Sequence, residues 1–324
     1  MHRIGVDFGG TKISAAVCDD NYNIIVKVSC PTLAHRHADV ITGDIAALCK
    51  KAAEKAGVPF KDIKSIGIGT PGAIDAKLGT VEYSCNLPTY LSYPIVEKMR
   101  ELTGINDIFV DNDANAAALG EAVAGAAKGS SSSVMITLGT GVGGGIVIDG
   151  KIIGGNNGAA GELGHMVIEH NGVPCPCGRR GCFEAYSSAT SLVRMTKERL
   201  NKLKSEGTAT LMLDMCDGDP ENANTRTAFD ASKKNDTEAC KLIDEYISYL
   251  ACGITNLINA FQPEVFTIGG GLSGEGDYLL KPLIPIIEHD QYTHTYPKSR
   301  QTKLKIATLG NDAGIIGAAA LGGN

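Results

Sequence analysis

Two periods of apolar and polar positions alternate along this chain. Short apolar runs of strand length stand at Arg3 to Phe8, Ile13 to Cys18, Asn21 to Val28, Ile63 to Ile68, Asp107 to Val110, Val134 to Leu138, Pro263 to Ile268 and Leu304 to Leu309. Between them lie longer stretches with apolar residues at helical spacing. Residues 38–56 carry Val40, Ile41, Ile45, Leu48, Cys49 and Ala52 on one face, and Gly57-Val58-Pro59 stops that helix. A short helix around Pro94 to Leu102 stops at Gly104. Further helices are predicted over Ala114 to Ala127, Thr190 to Leu203, Asp236 to Phe261 and Ile315 to Leu321. The stretch after Gly69-Thr70-Pro71-Gly72, through Asn86-Leu87-Pro88, reads as loop, and 205–224 as a polar excursion. Strands alternating with helices predict an α/β layered protein.

The glycines change this picture most. They fall in clusters directly after apolar runs, where tight turns approach ligands. In Asp7-Phe8-Gly9-Gly10-Thr11-Lys12 a strand runs into a glycine turn and another strand follows, so the segment is a hairpin and not a dinucleotide fingerprint, which opens a helix. Backbone N–H groups of such a turn can cradle phosphate, with Thr11 or Lys12 as an added donor. Asp7, at the strand end, could hold hydrated Mg2+ there. About 130 residues later the same idea recurs in Val134 to Gly150, around Gly139-Thr140-Gly141-Val142-Gly143-Gly144-Gly145. Two similar halves, each presenting a glycine hairpin, could grip a polyphosphate from both sides. A third glycine turn, Gly269-Gly270-Gly271-Leu272-Ser273, follows another strand.

Asp111-Asn112-Asp113 stands where a strand passes into a helix of small residues. Asp113 near the helix N-cap has an ordinary explanation, since the positive helix end favours a carboxylate. Two aspartates around an Asn exceed what capping needs, so a general base for a hydroxyl is the second reading.

Cys175, Cys177 and Cys182 lie within eight residues, among Gly178 and Gly181. With an imidazole, either His165 or His170, three thiolates make a closed tetrahedral zinc site. A closed site fixes a loop and does no chemistry. Glu162 stands three residues before His165 and Glu184 two after Cys182, so the fixed loop would hold two carboxylates in place. Ordinary reduced cysteines are the alternative.

The length of 324 residues suggests about two domains. The formal net charge of −6 argues against a nucleic-acid partner, which needs a basic patch. The chain opens on a strand, not on an apolar leader, and no apolar run reaches the roughly 18 residues of a membrane helix. A cytoplasmic protein with free thiols and one metal cluster is expected.

These segments, in this order, resemble the ROK family of repressors and sugar kinases over nearly the whole chain: Asp7 to Lys12, Asn112-Asp113, Leu138 to Gly145, Gly161-Glu162-Leu163-Gly164-His165, the Cys175 to Cys182 cluster, and Gly269 to Ser273. The resemblance implies a two-domain actin-like ATPase fold of the sugar kinase and hexokinase type, with an inter-domain cleft. Residues 1–115 would form a small N-terminal α/β domain, with the helix at about 312–324 packing back on it. Residues 116–311 would form a large C-terminal α/β domain carrying the zinc loop 165–184. It implies ATP-dependent transfer of the γ-phosphoryl group to the 6-hydroxyl of a sugar, in the manner of bacterial glucokinases. N-acetylmannosamine, N-acetylglucosamine, allose and fructose are the other substrates the motifs allow.

By position, Asp7, Gly9, Gly10, Thr11 and Lys12 match the first phosphate loop near ATP and Mg2+, Thr140 and Gly141 the second, and Gly270 and Gly271 the adenosine turn. Asp113 matches the catalytic base. Asn112, Glu162, His165 and Glu184 match sugar-contacting positions, joined by Gly72 and Asn86. The zinc ligands become His165, Cys175, Cys177 and Cys182, which decides against His170. Where many relatives have a Trp after the Asn-Leu-Pro, this chain has none, and Tyr90 or Tyr93 is expected to replace it. A dimer or tetramer is implied. The family's repressors carry an added N-terminal helix-turn-helix, and here the first phosphate strand begins at residue 3, so no such segment is expected.

Overall fold

The protein is described by a computed structural model, covering residues 1–323. The chain runs β1 (His2–Phe8), β2 (Lys12–Cys18), β3 (Ile24–Pro31), α1 (Ala38–Lys55), β4 (Ile63–Thr70), β5 (Ala73–Asp75), β6 (Thr80–Tyr83), β7 (Leu91–Tyr93), α2 (Ile95–Thr103), β8 (Ile108–Asn112) and α3 (Asp113–Val123). It continues with β9 (Ser132–Leu138), β10 (Val142–Ile148), β11 (Lys151–Ile152), α4 (Glu184–Ser187), α5 (Ala189–Glu206), α6 (Leu211–Asp214), α7 (Thr227–Ser232), α8 (Thr237–Phe261), β12 (Val265–Gly269), α9 (Asp277–Asp290), β13 (Lys303–Ile306) and α10 (Ala313–Ala320).

Two five-stranded sheets repeat one topology. The first has the order β3-β2-β1-β4-β8 and the second β11-β10-β9-β12-β13. In each, three strands form an antiparallel meander, the first strand of the meander pairs in parallel with a later strand, and that strand pairs in parallel with a still later one. The repeat seen in the glycine hairpins is therefore a repeat of whole sheets. Apolar runs with no polar alternation mark strands covered on both faces, and β1, β4, β9 and β12 are almost wholly buried.

The two sheets meet through a pair of crossing helices. α3 lies on the second sheet, where a Cβ at Gly145 would come 2.6 Å from that of Ala118. α10 lies on the first, where a Cβ at Gly5 would stand 1.9 Å from the Ile315 carbonyl oxygen. The helices touch backbone to backbone: a Cβ on Gly317 would fall 1.6 Å from the Ala116 carbonyl oxygen. The small-residue helices of the sequence are thus the contact between the two halves.

Three expectations differ in the structure, and α9 is a helix that the sequence pattern left unassigned. The stretch after Gly72 is not only loop, because β5, β6 and β7 make a small antiparallel sheet there, whose Ile74 and Val81 are buried in the core of the first half. α3 ends at Val123, four residues short, because the Glu121 carboxylate accepts from the Ala126 N–H at 2.7 Å and pulls the chain off the helix axis. The excursion at 205–224 contains the single turn α6, capped by Thr210. α9 forms despite Pro282 and Pro285; Leu279, Leu283 and Ile287 on its buried face drive it.

Candidate functional site

A cleft of about 660 Å³ opens between the halves. Its walls are built from the ends of strands and the turns that follow them, the usual location of a ligand on open α/β sheets. Gly72, Asn86, Asn112, Asp113, Thr140, Gly141, Glu162, His165, Glu184 and Gly270 all line it. Asp7, Gly9, Gly10, Thr11, Lys12 and Gly271 do not. The first hairpin reaches the cleft through Asn86, since a Cβ on Gly10 would stand 3.0 Å from the Asn86 carbonyl oxygen.

Each glycine turn is held by its own bonds. In the first, Gly9 N–H donates to Lys12 O at 3.0 Å, and Thr32 Oγ1 donates to Gly9 O at 2.6 Å. In the second, Gly139 N–H donates to Gly141 O at 3.0 Å. The third turn lies on the base of the second: Gly270 has φ +82°, and a Cβ there would stand 2.5 Å from Leu138 N. A side chain at 270 would meet both a forbidden backbone region and the neighbouring main chain.

The helix cap is Asn112, not Asp113. Asn112 Oδ1 accepts from Ala114 N–H at 2.9 Å and Asn115 N–H at 3.4 Å, while its Nδ2 donates to Gly72 O at 3.2 Å. That leaves Asn112 one side-chain N–H for a ligand. Asp111 supports it: its Oδ1 accepts from Asn112 N–H at 2.7 Å and from Asn115 Nδ2 at 2.9 Å. Freed from capping, the Asp113 carboxylate accepts a local bond from Ala114 N–H at 2.9 Å and lines the cleft. It reaches solvent through the cleft mouth, yet the surrounding protein desolvates it and raises its pKa above 3.8. Asp7 is raised too, first by burial and then by the charge of Asp113, with Lys27 and Lys12 opposing. The charge of Asp113 thus disfavours ionisation of Asp7 behind the cleft.

On the other wall, His165, Cys175, Cys177 and Cys182 bring four ligand atoms within 4.8 Å of one another. Zinc with Zn–S bonds of about 2.3 Å and tetrahedral angles needs S···S edges of about 3.8 Å and S···N edges of about 3.6 Å. Cys177 and Cys182 Sγ are 3.6 Å apart, and Cys175 Sγ is 3.7 Å from His165 Nδ1. The donor set fits such an ion. His170 is exposed and outside the cluster. The Nε2 side of His165 is turned instead to Glu162, with Oε2 at 3.9 Å, inside the cleft. One ring thus faces a metal position through Nδ1 and the cleft through Nε2. Glu184 is divided in the same way: its Oε2 accepts from Val142 N–H at 2.9 Å, and its Oε1 lies 3.9 Å from Cys175 Sγ.

Tyr90 and Tyr93 do not line the cleft. Tyr90 is buried under α1, its hydroxyl shared with Thr42 at 2.8 Å, and Tyr93 bonds Asp39 at 2.8 Å. Tyr90 packs edge to face against both Phe8 and Tyr93. The sequence reading also missed part of the cleft wall. Gly158, Ala159 and Ala160 line it, on a loop that reaches from the second half to the first: a Cβ on Gly158 would stand 1.9 Å from Ile74 O. The glycines Gly155, Gly158 and Gly161, all with positive φ, were its signal. Among the described residues no helix is long and apolar enough to cross a membrane.

The ROK family profile matches residues 3–323. A glucokinase of Halalkalibacterium halodurans is 39% identical, over 97% of this chain and 92% of that protein. A glucokinase of Thermotoga maritima is 36% identical, over 99% and 97%. The crystal structure of a ROK family glucokinase from Streptomyces griseus, in complex with glucose and AMPPNP, superposes with a TM-score of 0.76 at 34% identity, covering 99% of each chain.

Proposed function

The chain belongs to the ROK family, and from that premise we propose that it is an ATP-dependent kinase that phosphorylates glucose on its 6-hydroxyl. The observation that carries the reading is a carboxylate, Asp113, released from capping and turned into a cleft whose other wall is a glycine phosphate turn. Phosphoryl transfer needs alignment, charge neutralisation and a base more than covalent chemistry. Asp113 accepts the proton of the sugar hydroxyl as that oxygen bonds the γ-phosphorus. The bond from the γ-phosphorus to the bridging oxygen breaks, and its electron pair leaves on ADP. The spare N–H of Asn112, with Glu162, Glu184 and His165 Nε2, orients the sugar. Gly72 and Asn86 close that side, and the Gly72 carbonyl holds the Asn112 amide in register.

Thr140 and Gly141 present their turn to the phosphates, with Gly270 and Gly271 against the adenosine. Asp7, Gly9, Gly10, Thr11 and Lys12 serve the phosphates from the first hairpin. When bound, Mg2+ supplies neutralising charge at the transferring phosphates, and Asp7 is the residue that would hold it through water. Zinc, on His165, Cys175, Cys177 and Cys182, supplies no chemistry and fixes the loop that carries Glu184. The mobile units are residues 1–115 with the C-terminal helix, and 116–311. Their closure over the cleft excludes water as an acceptor. A cytoplasmic homo-oligomer belongs to the same reading. Release of ADP from Mg-ATP only when glucose is present, abolished in Asp113→Asn, is the expected result. ATPase activity indifferent to sugar contradicts it.

A further inference from the structure

The second glycine turn is fastened to one segment, residues 182–190, at three points. Val142 N–H donates to Glu184 Oε2 at 2.9 Å, Ala189 N–H donates to Gly139 O at 2.8 Å, and Thr190 Oγ1 donates to Thr140 O at 2.8 Å. The fourth residue of the turn is held by contact: a Cβ on Gly141 would meet Glu184 Oε2 at 2.2 Å. The segment that holds it is itself rigid. It begins at the metal-cluster residue Cys182, continues into the fully buried Phe183, and accepts the Tyr246 hydroxyl on Ser187 O at 2.6 Å.

We infer that Thr190 is a positioning residue for nucleotide binding, and that the cysteine-anchored segment acts as a frame setting the phosphate turn as well as the sugar site. The inference rests on the reading of residues 139–142 as that turn. A hydroxyl from helix α5 fixes the Thr140 carbonyl, and through the planar peptide that this carbonyl shares with Gly141 it also sets the direction of the Gly141 N–H and its neighbours. Without it, those donors must be ordered by the ligand, and the ordering cost appears in nucleotide affinity. Thr190 touches neither substrate. It is outside the cleft wall and exposed, so its loss leaves the sugar side intact.

The test pairs Thr190→Val, which keeps the shape, with Thr190→Ser, which keeps the hydroxyl. Steady-state kinetics and calorimetric titration with a non-hydrolysable ATP analogue are read together with zinc content and thermal melting. The Val variant is expected to raise the ATP KM and the analogue Kd roughly three- to tenfold, the scale of one lost hydrogen bond. The glucose KM should stay within about twofold, and the Ser variant should match wild type. Unchanged ATP affinity in Thr190→Val, a Ser variant as weak as Val, or a glucose KM rising in step would each overturn the inference. Should the Val variant fail to fold, Thr190→Ala carries the same expectations. A wild-type protein that binds no ATP analogue would instead refute the kinase reading, and that titration comes first.

Discussion

Replacing Asp113 by Asn separates a catalytic carboxylate from a structural one. If the side chain served only as helix cap, Asn would replace it at little cost, because the two residues cap about equally well, and activity would survive the change. In the structure the cap belongs to Asn112, which satisfies both Ala114 and Asn115 N–H groups, so capping adds nothing to the effect on stability. Two smaller effects remain and oppose each other. The first turn loses a negative charge that the helix end favours by about 0.3–1 kcal/mol. Against that, a desolvated carboxylate whose charge also burdens Asp7 is removed. The melting temperature should therefore stay within roughly 3 °C of wild type. Catalysis has no such compensation: an amide cannot take the hydroxyl proton, and a general base contributes about 10^2–10^4 in rate. A loss of 10^2 corresponds to about 2.7 kcal/mol of barrier. The assay is coupled ADP release at saturating ATP and glucose, with glucose binding followed calorimetrically. Turnover within tenfold of wild type would refute the role of Asp113. So would a variant whose lost activity tracks lost folding.

Cys177→Ser should lose zinc and glucose affinity together, with zinc measured by metal analysis and the glucose KM raised about tenfold or more; zinc loss at constant KM would break the link between the loop and the sugar site. The kcat/KM profile should fall as pH drops through the raised pKa of Asp113, because only the ionised form accepts a proton, and its acid limb should lie above the ordinary 3.8; a limb at or below that value contradicts the desolvated base. Asp7, Asp111 and Asp113 are all raised in the folded protein, so the native state binds these protons more tightly than the unfolded chain. Their destabilising contribution is absent below about 3.8 and enters as pH rises through the raised values; urea titration should show it in wild type and find it partly relieved in Asp113→Asn. Gly317→Ala puts a methyl 1.6 Å from a backbone oxygen at the helix crossing and should cost at least about 1–3 kcal/mol, seen as a melting temperature lower by several degrees; an unchanged melt would mean that the crossing is looser than described.

What was legible in the chain followed from how local its causes are. Buried strands such as β1, β4 and β12 announce themselves as unbroken apolar runs, and α8 by a long apolar stripe ending at Gln262. The glycine hairpins and the cysteine cluster carry their geometry in their spacing. What was hidden depends on partners far away in sequence. β5 to β7 are three or four residues each and are held by pairing with one another, so no period marks them. The cap passes from Asp113 to Asn112 because Gly72, forty residues earlier, accepts its amide. Tyr90 reads as a loop aromatic beside Asn86-Leu87-Pro88, yet Thr42 and Ala38 of α1 take its hydroxyl into the core. Thr190 carries no local signal at all, because its partner Thr140 lies fifty residues away.

The central claim is sugar phosphorylation by ATP in this cleft, and ADP release with Mg-ATP across a panel of glucose, N-acetylglucosamine, N-acetylmannosamine, allose, fructose and no sugar tests it most directly. The account predicts strong turnover with glucose and negligible release without sugar. No sugar-dependent turnover from zinc-loaded protein would contradict it, and preference for an N-acetyl sugar would contradict the choice of glucose.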